Sequence, residues 1–211
     1  MYARDVNEIE LTLVVSGLLW NRSLVMLDLE TESLWSHILG EAKAGELDGQ
    51  QLDRLPSVMT DWATWKSTYP ESTVVMLSRT ANRFRREVYN YPDQFVLGMS
   101  KGAAARAWSY DHLAEVSVVN DTFQQMPVVI FYEAASATAV AFERTLDGQT
   151  LSFRRDAEGI HDEQTGSRWN PTTGKSTSGP WTDRQLKPAV GVVSFRATWD
   201  QFYPDTAYWQ K

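Results

Sequence analysis

Asp28-Leu29-Glu30-Thr31-Glu32-Ser33-Leu34-Trp35 and Asp162-Glu163-Gln164-Thr165-Gly166-Ser167-Arg168-Trp169 decide how this chain is read. Laid over one another they share Asp, Thr, Ser and Trp at a single offset of 134 residues, the distance from 28 to 162 and from 35 to 169. A ladder of identities at fixed offset marks internal repetition, which outranks local propensity in assigning a fold. The offset carries on through Gly40 and Gly174, Gly45 and Gly179, Leu52 and Leu186, Trp65 and Trp199, and Tyr69-Pro70 and Tyr203-Pro204. Upstream it becomes 140, pairing Arg4 to Leu13 with Arg144 to Phe153, so the first copy holds six extra residues around Leu18 to Leu24. The chain reads as one domain over residues 1–211, with repeat one at 1–75, a connector at 76–140 and repeat two at 141–209.

Each copy reads mainly as strand. Ile9, Leu11, Leu13 and Val15 alternate with their neighbours, and Thr138–Phe142, Leu146-Asp147-Gly148-Gln149 and Leu151-Ser152-Phe153 read as strands about an Asp-Gly turn. Thr31 and Thr165-Gly166 mark a second tight turn, and the glycines at 40, 45, 174 and 179 mark bends needing positive φ or close approach. Aromatics spaced three and four apart over 61–69 and 195–203 predict one short helix per copy, with Thr60 and Ser194 as caps and Pro70 and Pro204 as stops. Trp65, Trp199, Tyr69 and Tyr203 are then packing anchors, with a ligand platform the lesser reading. The fold class expected is mainly β with a few short helices, a β-rich α+β protein of two pseudo-symmetric hairpin repeats in one globule.

Composition narrows the function. The 211 residues include nine Trp, eight Tyr and eight Phe and no cysteine, which excludes disulfides, thiolate metal sites and cysteine nucleophiles. A formal charge of −7 disfavours broad adhesion to nucleic acid or anionic lipid. The longest apolar stretch, Met126 to Phe142, holds Pro127 and Glu133 and falls short of the ~20 apolar residues of a spanning helix, so it reads as two buried strands around small residues. Met1 to Asp5 leads into alternating polar and apolar residues and carries no signal-peptide pattern.

Val15-Ser16-Gly17-Leu18-Leu19-Trp20-Asn21, Asp28 to Trp35, Gly40-Glu41-Ala42, Leu55-Pro56-Ser57, Val119-Asn120-Asp121 and Ala141-Phe142-Glu143-Arg144 together resemble the family known as domain of unknown function 3179. The resemblance spans essentially the whole chain. It implies an uncharacterised bacterial or archaeal protein, commonly exported or lipid-anchored, with no activity to carry over. It also implies that the first copy lacks about 25 residues before Met1, and that Glu133-Ala134 stand where that copy would have a Cys-Pro pair. A strand edge left open there invites pairing, so a homo-oligomer through that edge is expected.

Candidate chemistry is thin. Gly174-Lys175-Ser176 ends like a phosphate loop, but Trp169 stands where its first glycine belongs and Pro171 and Pro180 deny the helix. The histidines, His37, His112 and His161, have no metal-ligand spacing, and no metal or cofactor is expected. Asp28, Glu30 and Glu32 form an acidic set, but the recurrence of Asp with Thr-x-Ser suits a carboxylate bonding turn amides. Ser16 lacks the glycine of a nucleophile elbow. Trp20, Trp62, Trp108 and Trp181 have no aromatic partner in the other copy, and Arg79, Arg83, Arg85 and Arg86 form a basic cluster.

Ligands of pseudo-twofold proteins sit in the groove between halves, so the candidate ligand-binding residues are Trp35, His37, Trp169, His161 and Lys175. Two functions stay open: a non-catalytic exported recognition module for a small molecule, glycan or peptide, and an enzyme, hydrolytic or redox-associated, with an unrecognised site in that groove.

Overall fold

A computed structural model of the chain describes residues 1–75 and 87–211. The basic cluster of Arg79, Arg83, Arg85 and Arg86 lies outside the described residues. The architecture is mainly β with short helices.

The first half opens with a hairpin of β1 (Asp5–Val6) and β2 (Ile9–Glu10). An antiparallel sheet follows in the order β3 (Leu13–Trp20), β4 (Ser23–Asp28), β5 (Leu34–Ser36) and β6 (Ala42–Ala44). Helix α1 (Trp62–Thr68) closes this half. The middle runs through α2 (Glu87–Asn90), β7 (Phe95–Lys101), β8 (Ala104–Ser109), α3 (Tyr110–Val116), β9 (Val118–Phe123), β10 (Met126–Glu133) and β11 (Thr138–Glu143). The second half holds hairpin β12 (Thr145–Leu146) and β13 (Gln149–Thr150), then a sheet of β14 (Phe153–Asp156), β15 (Gly159–Asp162), β16 (Arg168–Trp169) and β17 (Ser176–Ser178). Strands β18 (Lys187–Pro188) and β19 (Val192–Phe195), helix α4 (Arg196–Phe202) and β20 (Ala207–Tyr208) complete the chain.

Two further sheets join the halves. One has the order β18, β11, β10, β9; the other has β19, β7, β8, β20, with β20 the parallel member. Strands β10 and β11 explain the long apolar stretch. Val128, Ile130 and Tyr132 face one core with Ala139 and Ala141, whereas Val129 and Phe131 face a second core with Val140 and Phe142. Side chains alternate across a strand, so a ribbon buried on both faces reads as an unbroken apolar run.

The quoted octets fold alike. Asp28 is fully buried and accepts from the Thr31 amide (2.6 Å), the Thr31 hydroxyl (2.8 Å) and the Trp35 indole N–H (2.8 Å). Asp162 accepts from the Thr165 amide (2.6 Å), the Thr165 hydroxyl (2.9 Å) and the Trp169 indole N–H (3.0 Å). Ser33 and Ser167 extend each network, their hydroxyls accepting from the amides of Leu47 and Trp181 at 3.0 Å. Gly45 and Gly179 permit this: a Cβ on them would stand 2.6 and 2.7 Å from the Ser33 and Ser167 Cα atoms, and both have positive φ, 99° and 89°. Each buried carboxylate thus finds its full set of donors within one turn.

Two local expectations need correction. The N-cap of α1 is Asp61, whose Oδ1 accepts from the Thr64 amide at 2.7 Å; α4 starts from Phe195 with no side-chain cap. Thr60 and Ser194 sit one residue too early, and their hydroxyls bond elsewhere, to Thr138 Oγ1 and to the Phe195 carbonyl.

Candidate functional site

Helix α1 carries Trp62, Trp65 and Tyr69 at positions i, i+3 and i+7, one aromatic stripe down one face. No residue of this helix is buried. The Trp65 and Tyr69 rings lie 4.6 Å apart at 41°, and the Trp65 indole N–H donates to Ser72 Oγ at 3.0 Å, which fixes the ring. Beside them opens a cleft of ≈ 400 Å³ between the halves, within the range of small-molecule sites. Its lining comes from Met1, from Ser57 and Val58, from β11, from Pro188, Ala189 and Gly191, and from Thr172, Thr173 and Gln185. Among the described residues no carboxylate, imidazole, lysine or arginine side chain lines it.

Helix α4 presents the matching residues to a different environment. Trp199 and Tyr203 stack at 4.4 Å and 35°, and the Trp199 indole N–H donates to Thr206 Oγ1 at 2.9 Å. Yet Trp199 is wholly buried among Val96, Ala105 and Ala107, lying so close to Gly98 that a Cβ there would meet its ring at 2.4 Å. Tyr203 is pinned at its hydroxyl, which accepts from Arg54 Nη2 at 3.1 Å and Ser100 Oγ at 2.9 Å. The cleft beside it, ≈ 550 Å³, is lined by Glu41, Asp53, Arg54 and Lys101. Arg54 corresponds to Pro188 at the offset of 134, so the other cleft has no such clamp. Among the described residues nothing hydrogen-bonds the Tyr69 hydroxyl, and Tyr69 stays 43% exposed.

A third cavity, ≈ 780 Å³, lies on the Trp62 side of α1, with Phe95, Phe195 and Met59 among its walls. At its edge Ser136 Oγ lies 2.7 Å from Thr138 Oγ1, which donates to Thr60 Oγ1 at 2.8 Å. No imidazole lines any of these three cavities among the described residues, and the carboxylates at the third are Asp61, which caps α1, and Glu87.

The five candidate residues from the sequence are not brought together. Trp35 and Trp169 are buried in separate cores, each with its N–H on its own aspartate. His37 is exposed on the turn after β5. His161 is buried, its Nδ1 3.2 Å from both Asp156 Oδ2 and Arg168 Nη1, and Arg168 also pairs with Asp156 at 2.8 Å. Lys175 reaches Asp183 at 2.9 Å. None of the five lines the cleft, which is made by α1 and by the exchange of Arg54 for Pro188. Of the tryptophans without a partner, Trp108 is fully buried on Asp121, Trp20 packs edge-on against Phe202, Trp181 is half-buried under Arg184, and Trp62 is 44% exposed.

A family model described as "Protein of unknown function (DUF3179)" matches residues 1–94 and again residues 85–206. The chain belongs to this family. No curated protein and no solved structure matches the chain. Within the DUF3179 chain, the motif residues Asn120 and Asp121 have structural partners. Asn120 bonds both the amide and the carbonyl of Phe153 at 2.8 Å, and Asp121 holds Arg106 (2.7 Å) and Trp108 (3.0 Å). Among the described residues no helix is long and apolar enough to cross a membrane.

Proposed function

We propose that this DUF3179 protein is a recognition module that binds a small uncharged ligand in the cleft beside Trp65 and Tyr69. The observation that carries this reading is an aromatic pair left open to a cleft with no charged side chain in its lining, while on α4 the equivalent Trp199 is buried and Tyr203 is clamped. An ionised ligand would lose hydration there and find no side-chain countercharge. The experiment is saturation-transfer NMR with a mixed panel of uncharged small molecules: monosaccharides, disaccharides, aromatic amides and short aliphatic alcohols. Binding that disappears in Trp65→Ala supports the reading; no binding to millimolar concentration, or binding untouched by that substitution, overturns it.

Duplication within a single domain is part of the same proposal. The recurring Asp–Thr–Ser–Trp networks and the two family matches, one over each half, support it. Self-association is favoured by one observation: β3 is an edge strand on which Val15 and Leu19 are 72% and 73% exposed, with no charged residue from Leu11 to Trp20. Sedimentation equilibrium tests this, a monomer at 100 μM or so being the contrary result.

A further inference from the structure

We infer that the ligand of this cleft is a neutral saccharide, one or two hexose rings in size. The inference rests on the binding reading above and adds the chemical class. Two kinds of side chain line it together: Trp65 and Tyr69 contribute aromatic rings, and Thr172, Thr173, Gln185 and Ser57 contribute hydroxyls and an amide.

The polar chemistry of this lining is unfinished. Thr172 is only 8% exposed, and among the described residues its hydroxyl has no hydrogen-bond partner. Gln185 donates from Nε2 to the carbonyls of Thr173 and Leu186, which leaves Oε1 without a protein partner among the described residues. Thr172 Oγ1 is not among the buried unpartnered atoms, so it meets the solvent of the cleft, a partner that a bound ligand displaces and must replace with a hydrogen bond of its own.

These features select among uncharged ligands. A wholly apolar molecule would take the solvent from the Thr172 hydroxyl without replacing its hydrogen bond, whereas Gln185 is exposed and keeps water within reach. A hexose ring has a C–H face that packs on an aromatic plane and a rim of hydroxyls that both donate and accept. That combination satisfies a donor–acceptor hydroxyl such as Thr172 and an acceptor such as Gln185 Oε1 at once. The second cleft, with its Arg54 clamp and charged lining, has neither an open ring pair nor a neutral wall.

The test is titration of the full chain with glucose, galactose, maltose and cellobiose, read by tryptophan emission and saturation-transfer NMR. At least one of these sugars is expected to bind. Trp65→Ala should weaken it about tenfold or more, as loss of a central aromatic contact does. Thr172→Val should weaken it about 3- to 10-fold, the worth of one hydrogen bond. Trp65→Phe should retain most of the affinity. Because α1 buries no residue, circular dichroism should show Trp65→Ala folded. Binding of aromatic amides or alcohols in this cleft without any sugar overturns the saccharide assignment and leaves the binding reading intact. Binding of nothing overturns both. Sugar binding unmoved by Trp65→Ala and Thr172→Val overturns the assignment of the site.

Discussion

Helices α1 and α4 have nearly the same length and the same Trp-x-x-x-Tyr-Pro ending, yet Trp199 is fully buried and Trp65 is not. The local chemistry is shared, since each indole N–H bonds a hydroxyl seven residues on, Ser72 or Thr206. What differs is the sheet against which the ring lies. Gly98, Ala105 and Ala107 leave a hollow the size of an indole, and no such socket of small residues encloses Trp65. The lesson is that a side chain's role is set by what the rest of the chain brings to it. Trp199→Ala should therefore cost about 3–5 kcal/mol in urea denaturation, the usual range for emptying a buried aromatic site, and Trp65→Ala less than about 1 kcal/mol. Gly98→Ala should cost about 1–3 kcal/mol by overpacking. Equal costs at the two tryptophans would break the comparison.

The two buried aspartates sharpen it from the opposite side, because here the halves agree. Asp28→Asn and Asp162→Asn should each cost about 2–3 kcal/mol, since an amide cannot accept all the bonds the carboxylate does and those bonds are charge-assisted. Burial alone would raise the Asp28 pKa; the hydrogen bonds from Trp35, Thr31 and Ser33 outweigh it and hold the carboxyl below its ordinary value. A depressed folded-state pKa gives stability that is fully present above the unfolded value near ~3.9 and is lost as pH falls through the lower, folded one. Denaturation midpoints measured from pH 7 down to pH 2 should drop below about pH 4 in the wild type, and the drop should be shallower in Asp28→Asn.

A smaller contrast lies at the outer edges of the two hairpin sheets. Asn120 caps the edge of β14 by bonding both polar groups of the Phe153 peptide, a side chain standing in for a strand. Leu13 holds the same position in β3. Its partner Asp28 turns its own amide away toward Ser33, so the Leu13 amide faces outward, and among the described residues no side chain meets it. Amide exchange should therefore be faster at Leu13 than at Phe153. Asn120→Ala should bring the Phe153 rate up to that of Leu13 and cost about 1 kcal/mol.

Much of this was legible because residues that recur at a fixed offset stand apart from those that do not. The recurrence of Asp, Thr, Ser and Trp identified carboxylates bonded to their own turns, and Gly40, Gly45, Gly174 and Gly179 do have positive φ. The alternating apolar run from Met126 to Phe142 gave two strands buried on both faces. The cleft was harder to see. The residues alone assign Trp65 and Tyr69 to packing because Trp and Tyr recur at the shared offset, but the socket for Trp199 depends on Gly98 and Ala105, which lie 98 and 91 residues before the start of α4. The one local signal was the unlike pair at the same offset, Arg54 against Pro188. Residues that do not recur, such as His37 and Lys175, draw attention first, yet His37 is an exposed turn residue and Lys175 an exposed partner of Asp183.

That unlike pair also gives the finest test. Arg54 ties Tyr203 to Ser100 and to the Leu39 carbonyl (2.9 Å), so the hydroxyl of Tyr203 holds first-half and second-half residues together. Removing it in Tyr203→Phe leaves a half-buried guanidinium and a serine with one acceptor fewer, a loss of about 1 kcal/mol for a partly exposed polar contact. Tyr69→Phe removes a hydroxyl that no described residue bonds, and its effect should stay within about ±0.5 kcal/mol, as at other surface positions. Chemical denaturation of the two variants side by side decides the matter. If Tyr69→Phe cost as much as Tyr203→Phe, the open cleft would be closed by a contact on that hydroxyl, and the asymmetry between Arg54 and Pro188 would lose its physical meaning.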